Sequence, residues 1–263
     1  MSKQPIGIFD SGVGGLSIFK VIKQHLPNEN LLYFADSQYA PYGELDEKIL
    51  KQRCLFIADF FIQKNAKAMV VACNTATALM AEWLRAEYDI PIIAIEPAIK
   101  PAAQITTTNT IGVFATQHTL NSERYRSLLK RFAKDKTIYQ SACEGFVEQV
   151  EKGELDSLRT IGLIEQYLLP MLDNNIDTLV LGCTHYPFLS ETIKLVAGQH
   201  PLTIIDNANA VSLQATRVLT ELGLLNLHAH ESDAFFSSSN SKTLPSVFSD
   251  LLLKNTHVNY IAD

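Results

Sequence analysis

Two of the four cysteines sit where a thiol could do chemistry. Cys73 lies in Ala72-Cys73-Asn74-Thr75, and Cys183 lies in Gly182-Cys183-Thr184-His185-Tyr186-Pro187. Each follows a short apolar run and precedes groups able to hold a carboxylate, an amine or a proton. A free thiol has a pKa near about 8.5 and is only slightly ionised at neutral pH. A working thiol therefore needs a basic neighbour or a helix N-terminus, and Asp10 and His185 are candidate partners. Two thiols on opposite sides of a cleft suit proton transfer at a stereocentre. One removes a proton from one face and the other delivers a proton to the opposite face, each within a reach of about 3 Å of the shared carbon. Covalent catalysis by Cys183 with His185 as base is the alternative, and it leaves Cys73 unexplained. No C-x-x-C or H-x-x-H spacing offers a zinc site, so no metal is expected. Cys54, inside a helical run, and Cys143, without a matched partner, read as small buried residues.

Two further polar segments could face the same chemistry. They are Phe9-Asp10-Ser11-Gly12-Val13-Gly14-Gly15 and Ala35-Asp36-Ser37 through Pro41-Tyr42-Gly43. The glycine segment does not match G-x-G-x-x-G, and Asp10 would face the phosphate, which argues against a nucleotide. Its free N–H groups at a helix start could bind a carboxylate. Asp10 itself reads either as a functional acid or as a turn and cap former.

The elements that must position these residues alternate. Short β-branched runs read as strands at Pro5–Phe9, Asn30–Ala35, Ala68–Val71, Pro91–Ile95, Thr110–Phe114, Thr178–Leu181 and Leu202–Ile205. Helical stretches read at Gly15–His25, Asp46–Asn65, Thr77–Glu87, Ser122–Phe132, Ile161–Asp173 and Ala208–Leu222. Non-alternating apolar strands between helices indicate buried parallel sheets. Three pairs of segments also match in order. Ile6–Asp10 resembles Ile111–Ala115, Val70–Thr75 resembles Val180–His185, and Pro91–Glu96 resembles Pro201–Asp206. Matched order at nearly constant spacing predicts two similar three-layer α/β domains with mainly parallel sheets, facing each other across a cleft. The expected division is residues 1–97 plus 207–263 for the first domain and 98–206 for the second. The polar tail with Ser237-Ser238-Ser239-Asn240-Ser241 is expected to pack back on the first. Strand ends carry the polar loops, as ligand sites in open parallel sheets require.

Composition bounds the rest. The chain has 263 residues, 47% hydrophobic and 19% charged, enough for a sizeable core. With 22 basic and 28 acidic side chains its net charge is −6. No basic stripe favours nucleic acid, and no basic block favours a membrane surface. No apolar run approaches the ~18 residues of a membrane span, and the first residues lack a secretory signal's apolar core. A cytoplasmic location with reduced thiols is the expectation.

Together these segments resemble the glutamate racemases, cofactor-independent enzymes of the aspartate/glutamate racemase superfamily. The resemblance rests on Gly7 through Leu16, Pro41-Tyr42-Gly43, Ala72 through Ala76 and Gly182 through Pro187, and runs from residue 7 to about residue 206. It implies interconversion of L- and D-glutamate without a cofactor, supplying D-glutamate for peptidoglycan. It implies Cys73 and Cys183 as the acid/base thiols, assisted by Asp10 and His185 respectively, with Glu151 near the second thiol. Asp10, Ser11, Tyr42, Gly43, Asn74, Thr75, Thr116, Thr119, Thr184 and His185 would contact the substrate. Homodimers are common in that family. The chain departs from the family pattern at Gln117-His118, Cys143-Glu144-Gly145 and Asp206-Asn207-Ala208-Asn209. An acidic substrate carries two carboxylates, yet the motif loops contain no arginine. Backbone N–H, hydroxyl and amide donors would have to bind it. The competing expectations are a racemase for aspartate or another acidic amino acid, and a non-catalytic binding protein for an acidic metabolite.

Overall fold

The computed structural model describes residues 4–228 and 232–262. Its first sheet contains β1 (Ile6–Asp10), β2 (Leu31–Ala35), β3 (Ala68–Val71) and β4 (Ile92–Ala94). Its second contains β5 (Thr110–Ala115), β6 (Thr137–Ala142), β7 (Thr178–Gly182) and β8 (Thr203–Ile205). Two late strands, β9 (Ala234–Ser237) and β10 (Val258–Tyr260), extend the first sheet. The orders are β10-β9-β2-β1-β3-β4 and β6-β5-β7-β8, with every pairing parallel. Four strands of the first sheet thus repeat the order of the second, β2-β1-β3-β4 against β6-β5-β7-β8. That is the twofold architecture expected from the matched segments.

Burial explains why the central strands were legible. All residues of β1, β3 and β7 are buried, so each is a continuous apolar run without alternation. The edge strand β6 is partly exposed along its whole length and carries Thr137, Gln140 and Ser141, so no apolar run announced it. Strand β9 attaches through two phenylalanines that point to opposite faces, as strand geometry dictates. Phe235 packs 5.0 Å from Phe19 and 5.9 Å from Phe248, while Phe236 packs 4.9 Å from Phe60 on the other face. Burying each ring contributes about 1.5–3 kcal/mol, which holds the tail beside β2.

The helix after β3 runs Asn74–Glu87, three residues earlier than the sequence pattern suggests. Thr75 and Thr77 weaken the helical signal there. The first turn is stabilised instead by side-chain bonds. Cys73 Sγ accepts from Ala76 N–H at 3.5 Å, and Thr77 Oγ1 donates to the Val71 carbonyl at 3.3 Å. The early start places Cys73 at a helix N-terminus.

Parallel strands bring all their carboxyl ends to one edge of each sheet. The two edges are joined by side chains. Thr75 Oγ1 lies 2.9 Å from Thr116 Oγ1, Ser17 Oγ donates to the Thr184 carbonyl at 3.0 Å, and Thr184 Oγ1 donates to Asp10 Oδ1 at 3.1 Å. No helix among the described residues is long and apolar enough to cross a membrane.

Candidate active site

The glycine segment follows β1 and closes on the carboxylate at its start. Asp10 Oδ2 accepts from Gly15 N–H at 2.9 Å and from Gly12 N–H at 3.4 Å. Val13 N–H donates to Glu151 Oε1 at 2.6 Å. Three of the segment's amides, those of Gly12, Val13 and Gly15, are therefore taken by Asp10 and Glu151. Tyr33, buried beneath the segment, donates its hydroxyl to the Gly12 carbonyl at 2.6 Å. Small residues are required here by space. A Cβ on Gly12 would fall 2.6 Å from Glu151 Cδ, and one on Gly14 would fall 2.6 Å from His185 Cγ. The segment is a seat for the second half's side chains.

Cys73 is 4% exposed. Burial pushes its thiol well above the usual range, and the charge of Asp10 adds to the effect. The Ala76 N–H at the helix start opposes it, and the Cys183 thiol is close enough to raise it further. Beside it, Asn74 Oδ1 accepts from Asn207 Nδ2 at 3.4 Å, while Asn74 Nδ2 is buried with no partner. An unpaired buried N–H of this kind costs about 1–3 kcal/mol, and a carboxylate would satisfy it. Thr75, Thr116 and Thr119 form a hydroxyl chain with both steps at 2.9 Å. Thr119 is buried at its far end, behind Thr116.

Cys183 follows β7 directly and is 7% exposed. Its Sγ lies 3.8 Å from His185 Nδ1. His185 Nε2 lies 2.6 Å from Glu151 Oε1, and its Nδ1 lies 3.9 Å from Asp10 Oδ2. The imidazole is fully buried. Burial alone would lower its pKa, but hydrogen bonds to Cys183 and Glu151 and the charge of Asp10 outweigh that and hold it well above the ordinary value. Asp10 shifts upward as well, chiefly by burial, against the pull of His185 and Gly15. The pair thus places an acid-holding imidazole against the second thiol and a carboxylate between the two halves.

A raised imidazole pKa has a defined sign in stability. His185 stabilises the fold in full below its unfolded value of 6.5, and that contribution is lost as pH rises through the higher folded value. Urea unfolding of the unmutated protein and of His185→Asn should therefore differ most below pH 6.5, and the difference should shrink as pH rises through the raised folded value. A difference that did not change with pH would refute a charged His185.

Of the expected site residues, Asp10, Ser11, Tyr42, Asn74, Thr75, Thr119, Thr184 and His185 are buried with both thiols. Tyr42 turns its side chain inward, donating its hydroxyl to Asp36. Gly43 lies along the cleft, where an added Cβ would sit 3.1 Å from Thr116 Cβ. Three participants were not among the expected site residues, although Ser37 falls in one of the polar segments and Asn207 in one that departs from the family pattern. Ser37 donates to Glu151 Oε2 at 3.0 Å, Ser17 binds the Thr184 backbone, and Asn207 binds both Asn74 and the Glu96 carbonyl. Ser37 and Asn207 stand two residues beyond β2 and β8, a position at the carboxyl edge that could have marked them. An adjoining cavity of about 80 Å³ is lined by Gly43, Thr116, Cys143, Glu144 and Tyr186 among others. Among the described residues no group of three or more His, Cys, Asp or Glu is arranged to hold a metal ion.

Comparison with known proteins agrees with this geometry. The model of the Asp/Glu/Hydantoin racemase family matches residues 7–215. The glutamate racemase of Pseudomonas syringae pv. tomato is 48% identical over 222 residues, covering 84% of this chain and 80% of that protein. A glutamate racemase isoform from Bacillus anthracis superposes with a TM-score of 0.86 at 31% identity, covering 98% of this chain and 97% of that one. The Francisella tularensis glutamate racemase, solved in complex with D-glutamate, gives a TM-score of 0.85 at 30% identity, covering 100% and 98%. With paired cysteines at equivalent strand ends and a family match over residues 7–215, the chain belongs to the Asp/Glu/Hydantoin racemase family.

Proposed function

We propose that this chain interconverts L- and D-glutamate by two-base proton transfer at Cα, with Cys73 and Cys183 as the two thiols. The observation that carries the reading is their placement. Both stand just beyond equivalent strands of two similar sheets, and both are buried and near enough to affect each other electrostatically. One thiolate removes the α-proton and the opposite thiol protonates the other face. Asp10 stands beside the first thiol and His185 beside the second. His185, bonded to Glu151, stands 3.8 Å from Cys183 Sγ, placed to exchange a proton with it. The substrate's α-ammonium would bring positive charge toward Cys73, whose thiolate burial disfavours.

Carboxylate binding falls to uncharged donors. The unpaired Asn74 amide, the Thr75–Thr116 hydroxyls and the Thr184 hydroxyl are the groups we assign to it. Preorganised donors around the α-carboxylate stabilise the carbanion-like transition state. We also assign the cleft walls to residues 1–97 plus 207–263 and residues 98–206. The membership of the two sheets supports that division. The D-glutamate formed would serve peptidoglycan synthesis.

Optical rotation of L-glutamate with the purified, metal-free protein tests the reading, with L-aspartate in parallel. Decay to zero with glutamate alone is expected. Decay with aspartate alone would move the substrate to another acidic amino acid. No decay with either, in a folded and reduced sample, would overturn the racemase reading.

A further inference from the structure

Behind the Pro41-Tyr42-Gly43 segment lies a buried ionic cluster that the proton-transfer scheme does not use. Asp36 follows β2 and is fully buried. Arg53, on the helix Glu47–Gln63, grips it with both arms. Its Nε donates to Oδ2 at 2.9 Å and its Nη2 donates to Oδ1 at 2.8 Å. The guanidinium lies over the Tyr39 ring at 4.1 Å and the Phe56 ring at 4.6 Å. Tyr42 adds a third hydrogen bond to the same carboxylate. A planar fork, fixed by stacking on two rings, constrains orientation in a way that a lysine cannot.

The cluster decides which part of the segment can meet a ligand. With the Tyr42 hydroxyl committed inward, the segment presents its backbone and Gly43 to the second half. Gly43 lies against Thr116, and Thr116 is bonded to Thr75. A continuous line of contact therefore runs from Arg53 through Asp36 and Tyr42 to the two threonines. We propose that Arg53 and Asp36 are positioning residues that set Tyr42–Gly43 at the distance from Thr116 needed to bind the substrate's carboxylates. Arg53 has a second effect. It neutralises a buried carboxylate, which would otherwise stand unpaired behind a site that must accept an anion. The consequence for kinetics rests on the glutamate reading, whereas the consequence for the segment's order does not.

The experiment compares Arg53→Lys and Arg53→Met with the unmutated protein. Amide hydrogen exchange over residues 37–45 and steady-state kinetics with glutamate are both read. Arg53→Met should speed exchange in that segment by at least about tenfold, with exchange over residues 177–185 unchanged. Its KM for glutamate should rise about tenfold, about 1.4 kcal/mol of lost binding, while kcat stays within about threefold. Arg53→Lys should fall between the two, because it keeps the charge and loses the fork. The pH profile of kcat should be unmoved in both. If Arg53→Met fails to fold, Arg53→Lys alone decides the matter. Unchanged exchange in residues 37–45, or a fall in kcat with KM intact, would overturn the assignment. Absence of turnover in the unmutated protein would overturn the glutamate reading and leave the exchange comparison to decide the positioning role.

Discussion

Cys73→Ala and Cys183→Ala should each lower racemisation of glutamate by about a thousandfold, within the range that general acid–base groups contribute. Each thiol faces one side of the substrate in the two-base scheme, so neither can replace the other. Their surroundings differ, which makes the single variants informative. Cys73 caps a helix and is bonded to the Ala76 amide, while Cys183 is paired with His185. A variant with one thiol left can still remove and return a proton on one face. In deuterated water, Cys73→Ala should wash the α-proton out of one enantiomer and Cys183→Ala out of the other, both without inversion. Proton NMR of the α-position reads this directly. Full racemisation by either variant, or exchange of both enantiomers by one variant, would sink the scheme.

Gly14→Ala carries the next largest expected effect. A methyl there would be driven into the His185 imidazole, 2.6 Å from Cγ. The ring has no room to retreat, since it is fully buried and bonded to Glu151 and Cys183. The glycine segment and the Cys183 loop would have to separate by about 1 Å, a misplacement that can lower catalysis about a hundredfold. Gly162→Ala is the control. It lies within the helix Leu158–Leu172, and an added Cβ meets nothing within 4 Å. That change should leave activity intact and stabilise the fold by about 0.5–1 kcal/mol in urea unfolding. Wild-type kcat/KM in Gly14→Ala would overturn the requirement for glycine at this contact.

The secondary structure that could be read from the sequence was of one kind. Strands buried on both faces, such as β1 and β7, are unbroken apolar runs, and their repeat at a near-constant offset exposed the twin sheets. Strands at an edge were hidden. Strand β6 is only partly covered on both faces and mixes Ile138, Tyr139 and Ala142 with Thr137, Gln140 and Ser141, so it shows no apolar run, and β9 is held by a pair of rings whose partners, Phe19 and Phe60, are far away in the chain. The Asn74 helix starts earlier than its pattern suggests because its N-cap is the Cys73 thiol, where the common signals are Ser, Thr, Asp or Asn.

The amino-acid sequence by itself determined the fold class, the twofold plan and which polar loops lie at strand ends, because hydrophobic period and motif order are local properties. It also singled out the two cysteines, since matched contexts 110 residues apart are visible without coordinates. Tertiary structure alone decided how the loops engage one another. Glu151 meets Val13 across 138 residues of chain and Ser37 across 114, and the Gly12, Val13 and Gly15 amides are committed to protein carboxylates. The Tyr42 hydroxyl is committed to Asp36, whose carboxylate Arg53 holds from the other side. Such pairings depend on side chains brought within about 3 Å by packing of whole sheets and helices, and local pattern carries no record of them.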